Sequence, residues 1–460
     1  MGILKMTIVM LGLAAGLAIF SFSASPVRAE LKAGAAKADI TPEWPIYLGG
    51  YYYVNTRSKG VHDPLHSRVL ALSDGANTVV TISMDVIIMG GVFATELKQM
   101  IQDKLGIPPE NVTVTATHTH TGPEGYYEEF GKYPKEYDPK LKLDMQNKTL
   151  AAVVAAVEGM KPAKASVTTL SLPELMSNRH NPDGPEDPTA VLLTVRDMDG
   201  NPVTGFLNMP SHGTSAPAEQ LLISADWPGR FTAAMESKLG EGSTFVFLQG
   251  ATGNISPRGT DGDDPWQGIE NYGQKLAGIV WEAVGKAGPG TSDFPVAGAL
   301  KKFDNVPVRR KKTVMEFAAK MNDRIKEIQA SDLPPDVKER QIGWQRERLG
   351  IENFMQPMIG SMRRVKDGRT STTVQALRLG DSLLVAFPGE AIAEVSLEMR
   401  RRLAPATVAV LGYTNDHLGY LTTNEVYEQG GYEAGMGLCY PEATYKFMDT
   451  AETLAKNLEK

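Results

Sequence analysis

The pattern of apolar and polar positions along the chain predicts an α/β protein. Short apolar runs typical of buried strands alternate with segments of helical periodicity from about residue 33 to residue 300. The predicted strands are 78–84, 112–116, 165–170, 190–196, 204–209 and 244–248, and the predicted helices are 93–105, 141–160 and 272–286. We therefore expect a mixed β-sheet core flanked by helices. The sequence shows no internal repeat.

Between about residues 308 and 366 the sequence becomes charged and helical in pattern. The break at Leu333-Pro334-Pro335 predicts two helices in a hairpin, inserted into the α/β unit. The simplest interpretation is a solvated excursion. A lid or wall over a substrate groove is the alternative, because Trp344 and Met355 offer apolar surface. A last α/β portion follows, with strands at 373–379 and 382–387 and a helix at 391–403.

The first residues have the pattern of a targeting segment. Lys5 precedes an apolar run over residues 6–22, and Val27-Arg28-Ala29 forms a cleavage site with small residues at the required spacing. We predict a signal peptide over residues 1–29 and a mature catalytic domain over 30–460, in a secreted or periplasmic bacterial protein. An uncleaved anchor is the alternative. No later segment is apolar enough to cross a bilayer.

Composition narrows the class of protein further. The 460-residue chain is 42% hydrophobic, which is ample for a sizeable core. Its single cysteine, Cys439, excludes an internal disulfide, so packing alone must hold the exported domain together. The net charge of -7 provides no basic surface for nucleic acid or anionic lipid.

Candidate metal ligands follow the predicted strands. His118 and His120 come at the end of the strand 112–116, where side-chain alternation would direct both imidazoles to one side, as in zinc sites. His212 follows the strand 204–209, and Glu390 follows the strand 382–387. Because α/β proteins gather their sites at strand ends, these groups are expected to meet. A loop histidine pair without metal, and a glutamate that favours a helix N-terminus, remain alternatives.

A glycine-rich loop over residues 249–258 is a further candidate for the site. Its small residues allow backbone amides to approach a ligand closely, and Ser256 supplies a hydroxyl. Ordinary turn chemistry explains such a loop equally well.

Taken together, the motifs resemble those of the neutral ceramidase family, zinc-dependent amidases that cleave the N-acyl bond of ceramide. They occur in the family's order and cover nearly all of the mature chain. The matching segments are Ala38-Asp39-Ile40-Thr41-Pro42, Leu48-Gly49-Gly50-Tyr51, Ala116-Thr117-His118-Thr119-His120, Asn178-Arg179, His212-Gly213-Thr214-Ser215, Gly253-Asn254-Ile255-Ser256-Pro257, Pro388-Gly389-Glu390 and Tyr420-Leu421-Thr422-Thr423.

The resemblance implies a role for each matching residue. It assigns the zinc ion to four ligands: His118, His212, Glu390 and Tyr420. It places His120 beside the metal or on the substrate side, matches Ser256 to the catalytic serine, and puts Arg179 and Tyr432 around the scissile amide. It also implies a small-molecule or lipid amide as substrate. Compared with the family, this chain is expected to lack the C-terminal β-sandwich domain.

Some residues depart from the family pattern and keep other functions open. Arg258 stands where the family more often has asparagine, and a buried arginine near the scissile bond would suit a substrate with a carboxylate or sugar. A hydrolase of N-acyl amino acids, N-acyl sugars, lactones or other esters is therefore the second hypothesis. A non-catalytic carbohydrate- or lipid-binding protein is the third, favoured if Ser256, Tyr432 and the zinc ligands do not converge.

Overall fold

The computed structural model of the chain describes residues 30–50, 56–130, 136–260, 262–309 and 311–459. The strands are β1 (Lys32–Asp39), β2 (Gly60–Val61), β3 (His66–Ser73), β4 (Thr78–Met84), β5 (Val112–Ala116), β6 (Lys161–Pro162), β7 (Lys164–Ser171), β8 (Met176–Asn178), β9 (Thr189–Arg196), β10 (Pro202–Met209), β11 (Leu222–Ile223), β12 (Thr244–Gln249), β13 (Ile255–Pro257), β14 (Val296–Pro307), β15 (Arg369–Leu379), β16 (Ser382–Ala386), β17 (Glu390–Ala391), β18 (Thr407–Leu411) and β19 (Tyr420–Leu421). The helices are α1 (Gly91–Leu105), α2 (Pro139–Glu158), α3 (Asp226–Leu239), α4 (Pro265–Lys286), α5 (Lys311–Ala330), α6 (Pro335–Ser361), α7 (Ala393–Arg402), α8 (Asn424–Gln429), α9 (Gly431–Met436) and α10 (Pro441–Leu458). The predicted signal peptide over residues 1–29 lies outside the described residues, and none of the described helices is long and apolar enough to span a membrane.

Three main sheets share one topology. Their strand orders are β5-β4-β3-β1, with short β6 added beside β1, then β12-β10-β9-β7 and β18-β16-β15-β14. In each sheet the first three strands in sequence pair antiparallel and the last two pair parallel. Helices α1, α3 and α7 connect the parallel pairs. The α/β class predicted from the sequence is confirmed, and its sheet core consists of three topologically repeated units.

The three sheets pack together around a common core. Apolar side chains from all three units share it, among them Leu70, Leu193, Leu248, Leu384 and Leu411. Buried side chains also bridge every pair of sheets. Three such hydrogen bonds run from Ser83 Oγ to the Phe247 carbonyl (2.6 Å), from Asn208 Nδ2 to the Val410 carbonyl (3.1 Å) and from Thr115 Oγ1 to the Gly412 carbonyl (3.2 Å).

The same edge of every sheet carries the connection between its first two strands. In each unit the parallel strands end where the first strand passes to the second, because that first pair is antiparallel. The three equivalent connections are residues 40–65, 172–188 and 308–368. The third contains the predicted hairpin: α5 ends at Ala330, and α6 begins at Pro335, where proline suits the first helical turn.

Several strands were not predicted from the sequence. β1 and β14 contain lysines and alternate between buried and exposed positions, so they lack a continuous apolar run. β3 begins at His66, whose backbone amide donates to the Asp85 carboxylate at 2.8 Å. The predicted helix 272–286 begins earlier, at Pro265, because the Asp264 side chain caps its first turn.

A buried lysine in α1 makes stability depend on pH. Lys98 is 4% exposed, and its Nζ has no hydrogen-bond partner among the described residues. Burial lowers its pKa from 10.5 to about 7. Between about pH 7 and pH 10.5 the unfolded chain therefore binds one more proton at Lys98 than the folded chain does. The free energy of unfolding consequently increases with pH over this range.

Replacing Lys98 with methionine should remove this pH dependence and stabilise the protein at neutral pH. The difference in unfolding free energy between the variant and the wild type should shrink by about 2–3 kcal/mol between pH 6 and pH 9. Urea unfolding at both pH values measures it. A difference that stays constant between the two pH values would contradict the assignment.

Candidate metal centre

The two histidines of the His-X-His motif lie beyond the end of β5. The strand ends at Ala116, and His118 adopts the left-handed backbone conformation with φ 66°. The prediction that strand alternation directs both rings to one side is therefore wrong. The rings converge because the chain turns after the strand, and their Nε2 atoms lie 3.1 Å apart.

Backbone carbonyls fix the tautomers of two histidines. Nδ1 of His118 donates to the Ile87 carbonyl at 2.6 Å, and Nδ1 of His212 donates to the Ile255 carbonyl at 2.9 Å. Because a carbonyl oxygen only accepts, the proton resides on Nδ1 and each Nε2 presents a lone pair. Burial lowers the pKa of both rings well below the ordinary value of 6.5, so both are neutral at pH 7.

Glu390 brings a carboxylate to the same point. It begins β17, which pairs parallel with β19 at Tyr420. Its Oε2 lies 3.5 Å from His118 Nε2 and 3.4 Å from His212 Nε2. Burial raises the pKa of this carboxyl, but the neighbouring His118 and His417 outweigh it and hold the pKa below 4.5. The carboxylate is therefore ionised at neutral pH.

This donor set fits a zinc ion. The ligand atoms of His118, His120 and His212 all lie within 4.8 Å of one another. Tetrahedral zinc, with Zn–N bonds of about 2.0–2.1 Å, places neighbouring ligand atoms roughly 3.3 Å apart. The separations here, 3.1 to 3.5 Å, are of that size. In the described part of the chain, the buried Nε2 of His212 has no hydrogen-bond partner, so a cation would satisfy it.

Tyr420, Arg179 and Tyr432 form one wall of the centre. Arg179 Nη2 donates to Tyr420 Oη and to the Gly253 carbonyl, both at 2.8 Å. The guanidinium lies 5.7 Å from the Tyr432 ring centre, and the Tyr432 ring packs edge-on against Tyr420. Burial raises the pKa of Tyr420 well above 10, so a nearby cation is needed to make it ionise.

Ser256 lies on the strand that orients His212. It follows Ile255 in β13, and that residue's carbonyl accepts from both the backbone amide and Nδ1 of His212. Its backbone partner across the sheet is Ser177 of β8. Arg258, expected to be buried near the scissile bond, is 55% exposed instead and lies 3.9 Å from Glu186.

Two residues of the centre had no sequence signal. Tyr413 Oη donates to Glu390 Oε2 at 3.1 Å and lies 2.6 Å from Thr252 Oγ1, while its ring stacks on His118 at 4.1 Å. Glu433 Oε1 accepts from Arg179 Nε at 3.1 Å. Both residues contact groups far away in the sequence, and only their closeness to the Tyr420 motif and Tyr432 could have suggested them.

The fold and the centre define an α/β protein with a buried cluster that could hold a metal ion at the carboxyl ends of parallel strands. Residues 31–270 match the family model described as neutral/alkaline non-lysosomal ceramidase, N-terminal. The chain therefore belongs to the neutral ceramidase family, a family of hydrolases, and the resemblance noted from the motifs is confirmed.

Similar proteins cover nearly the whole chain. The neutral ceramidase of Pseudomonas aeruginosa is 25% identical, with 94% of this chain and 74% of that protein aligned. The neutral ceramidase of Mycobacterium tuberculosis is 24% identical, with 93% of this chain and 77% of that protein aligned. The crystal structure of the Pseudomonas aeruginosa enzyme superposes with a TM-score of 0.76 at 21% identity, covering 94% of this chain and 74% of that chain. The fold is thus shared.

Replacing Tyr413 with phenylalanine tests how the carboxylate is held. The variant keeps the ring on His118 but loses the hydroxyl between Glu390 and Thr252, so we expect about 1–3 kcal/mol of lost stability and weaker zinc binding. Tyr272→Phe is the matched control, because its buried hydroxyl donates to the Leu175 carbonyl and belongs to no metal cluster. Urea unfolding and zinc titration should separate the two variants. Equal zinc affinity in both would contradict the role given to Tyr413.

Proposed function

We propose that this protein is a zinc-dependent hydrolase that cleaves an N-acyl amide bond, with ceramide as the substrate. The observation that carries the proposal is the meeting of His118 Nε2, His212 Nε2 and the Glu390 carboxylate at one buried point. Family membership supports the reaction class, and the names of the similar proteins suggest ceramide.

Four residues hold the zinc ion in this proposal. They are the three just named and Tyr420, whose neighbour across the β17–β19 pair is Glu390. His120 faces the substrate. Its Nε2 lies close enough to His118 to make it the competing fourth ligand, so the choice between Tyr420 and His120 needs a direct test.

The remaining residues position the substrate and stabilise charge. Zinc held by these residues would act as a Lewis acid and would lower the pKa of water there to about 7. Arg179 and Tyr432 donate hydrogen bonds to the oxyanion that develops as the amide carbonyl is attacked. Ser256 either attacks the carbonyl or orients the water. His120 remains neutral because burial lowers its pKa to about 3, which suits a positioning role.

The remaining parts of the chain have roles consistent with this reaction. Residues 1–29 act as a signal peptide, and the protein is periplasmic or secreted. Residues 30–460 form one catalytic domain, and the helical insertion at about 308–366 forms a wall beside the centre. The partner is a small-molecule or lipid amide, and no nucleic acid takes part.

One observation favours a second candidate substrate class. The Arg179 side chain is 27% exposed at the centre, so its positive charge can reach a substrate carboxylate. N-acyl amino acids then compete with ceramide, and N-acyl sugars, lactones and other esters use the same zinc site. A hydrolysis screen across ceramides, N-acyl amino acids and N-acyl sugars, coupled to zinc analysis, decides between them. Release of fatty acid from ceramide alone establishes the first candidate.

Alanine at His118 or at His212 should abolish both bound zinc and hydrolysis. Each substitution removes one of the two nitrogen ligands that the proposed zinc site requires. His62→Ala is the control, since its ring stacks on Trp266 rather than joining the cluster. Zinc content by atomic absorption and fatty acid release are the measurements. A variant that releases fatty acid without bound zinc would contradict the proposal.

Paired substitutions identify the fourth ligand. Tyr420→Phe should lower zinc affinity about 10-fold or more, whereas His120→Asn should retain zinc and lose turnover. Competition with a chelator gives the affinities, and initial rates give turnover. The opposite result, zinc loss only in His120→Asn, would move His120 onto the metal.

A further inference from the structure

A continuous chain of contacts leads from the helical hairpin to the Arg179 guanidinium. Trp344 of α6 stacks on His180, with ring centres 4.6 Å apart and planes 15° from parallel. His180 Nδ1 lies 3.0 Å from Glu433 Oε2. The other oxygen of Glu433 accepts from Arg179 Nε, and Arg179 Nη2 donates to Tyr420. The hairpin therefore reaches the wall of the metal centre through two intermediate side chains.

Glu433 is the hub of this chain. It is 2% exposed, and its two oxygens are taken by Arg179 and His180. Burial raises the pKa of this carboxyl, but the bonds from His180 and Arg179 outweigh it and keep the pKa low. A buried carboxylate held at both oxygens has one orientation, and it fixes the guanidinium that shares it.

The ring of His180 depends on Trp344 for its orientation. Within the described ranges its Nε2 has no hydrogen-bond partner, so the bond to Glu433 is its polar anchor. A single hydrogen bond still leaves the ring able to tilt about its own side-chain torsions. The indole stacked on its face restricts this rotation, and thereby the placement of Glu433.

Close packing joins α6 to α9, the helix that carries Glu433. A methyl group at Gly431 would come within 2.6 Å of His180 Cε1, and one at Gly435 within 2.7 Å of Ile351 Cγ2 on α6. Gln345 of α6 also donates to the Gln429 carbonyl, just before α9. These contacts leave no room for α9 to shift alone, so the hairpin sets its position.

Trp344 also faces open space. It lines a cavity of about 760 Å³ between α5, α6 and α8. Truncating its side chain would enlarge this cavity instead of creating a new void in the core, so the cost in stability is expected to be small. The main consequence of the truncation falls on His180.

We propose that Trp344, His180 and Glu433 are positioning residues for Arg179, so that the helical hairpin sets the catalytic geometry of the metal centre. The role of Arg179 rests on the proposed function. None of the three touches the reacting atoms; they act by holding the guanidinium against Tyr420.

Double-mutant cycles in the full-length zinc enzyme test the proposal. Trp344→Ala, His180→Ala and Glu433→Gln should each lower kcat between about 10-fold and 100-fold with little change in KM, because the guanidinium is misplaced in the transition state. In an Arg179→Ala background the same substitutions should cost less than about 2-fold, because the group they position is gone. Trp344→Phe, which keeps a stacked ring, should restore most of the activity.

Control and readout separate positioning from simple destabilisation. Trp281→Ala, which truncates a partly buried tryptophan of α4 packed against the core cluster around Trp227 and Phe231, should leave kcat unchanged. The proposal would be overturned if the three substitutions lowered kcat by the same factor in the Arg179→Ala background as in the wild type. An unchanged kcat in Trp344→Ala would also overturn it.

Crystal structures of the variants provide a readout independent of activity. The 2.8 Å contact between Arg179 Nη2 and Tyr420 Oη should be lost in Trp344→Ala and in His180→Ala. Its retention in both overturns positioning. If the wild type releases no fatty acid from any N-acyl substrate, the proposed function fails by itself, and this structural comparison still decides whether the three residues hold Arg179.

Discussion

A carboxylate removed from water must be surrounded by groups that compensate its charge, and Glu390 imposes this requirement on the molecule. It is 6% exposed, and Tyr413 donates a hydrogen bond to its Oε2, whereas the Nε2 lone pairs of His118 and His212 face the same oxygen. Leaving such a charge unpaired would cost several kcal/mol. A cation held between the carboxylate and the two Nε2 atoms would compensate the charge, and because these three residues come from all three sheet units, it would also join the units.

The repeated topology explains how one point receives side chains from so many segments. Each unit ends its parallel strands at the same edge, so the loops after β5, β10, β12, β16 and β18 meet there. Each unit also sends the connection between its first two strands to that edge. The second unit uses it to bring in Arg179, and the third uses it for the helical hairpin that reaches Arg179 from the other side. The centre is thus shared among the units.

The sequence predicted strands such as β4 and β5, which are buried on both faces and rich in valine, isoleucine and threonine. Half-exposed β1 and β14 lacked that signal. The order of the motifs pointed to His118, His212, Glu390 and Tyr420 as a group. The geometric argument for His118 and His120 was wrong, because a left-handed turn at His118, and not strand alternation, brings the two rings together. Glu433 remained invisible because its contact with Arg179 joins positions 254 residues apart.

That separation in sequence has a consequence for how the protein matures. Val114, two residues before the first histidine motif begins, donates its backbone amide to Asn415 Oδ1 and accepts at its carbonyl from the Asn415 amide, 301 residues further along the chain. Closing so long a loop is slow and entropically costly, so this region forms late in folding. A ligand that binds only the fully folded centre would stabilise the folded state. It would therefore lower the fraction of molecules that are unfolded and open to proteases.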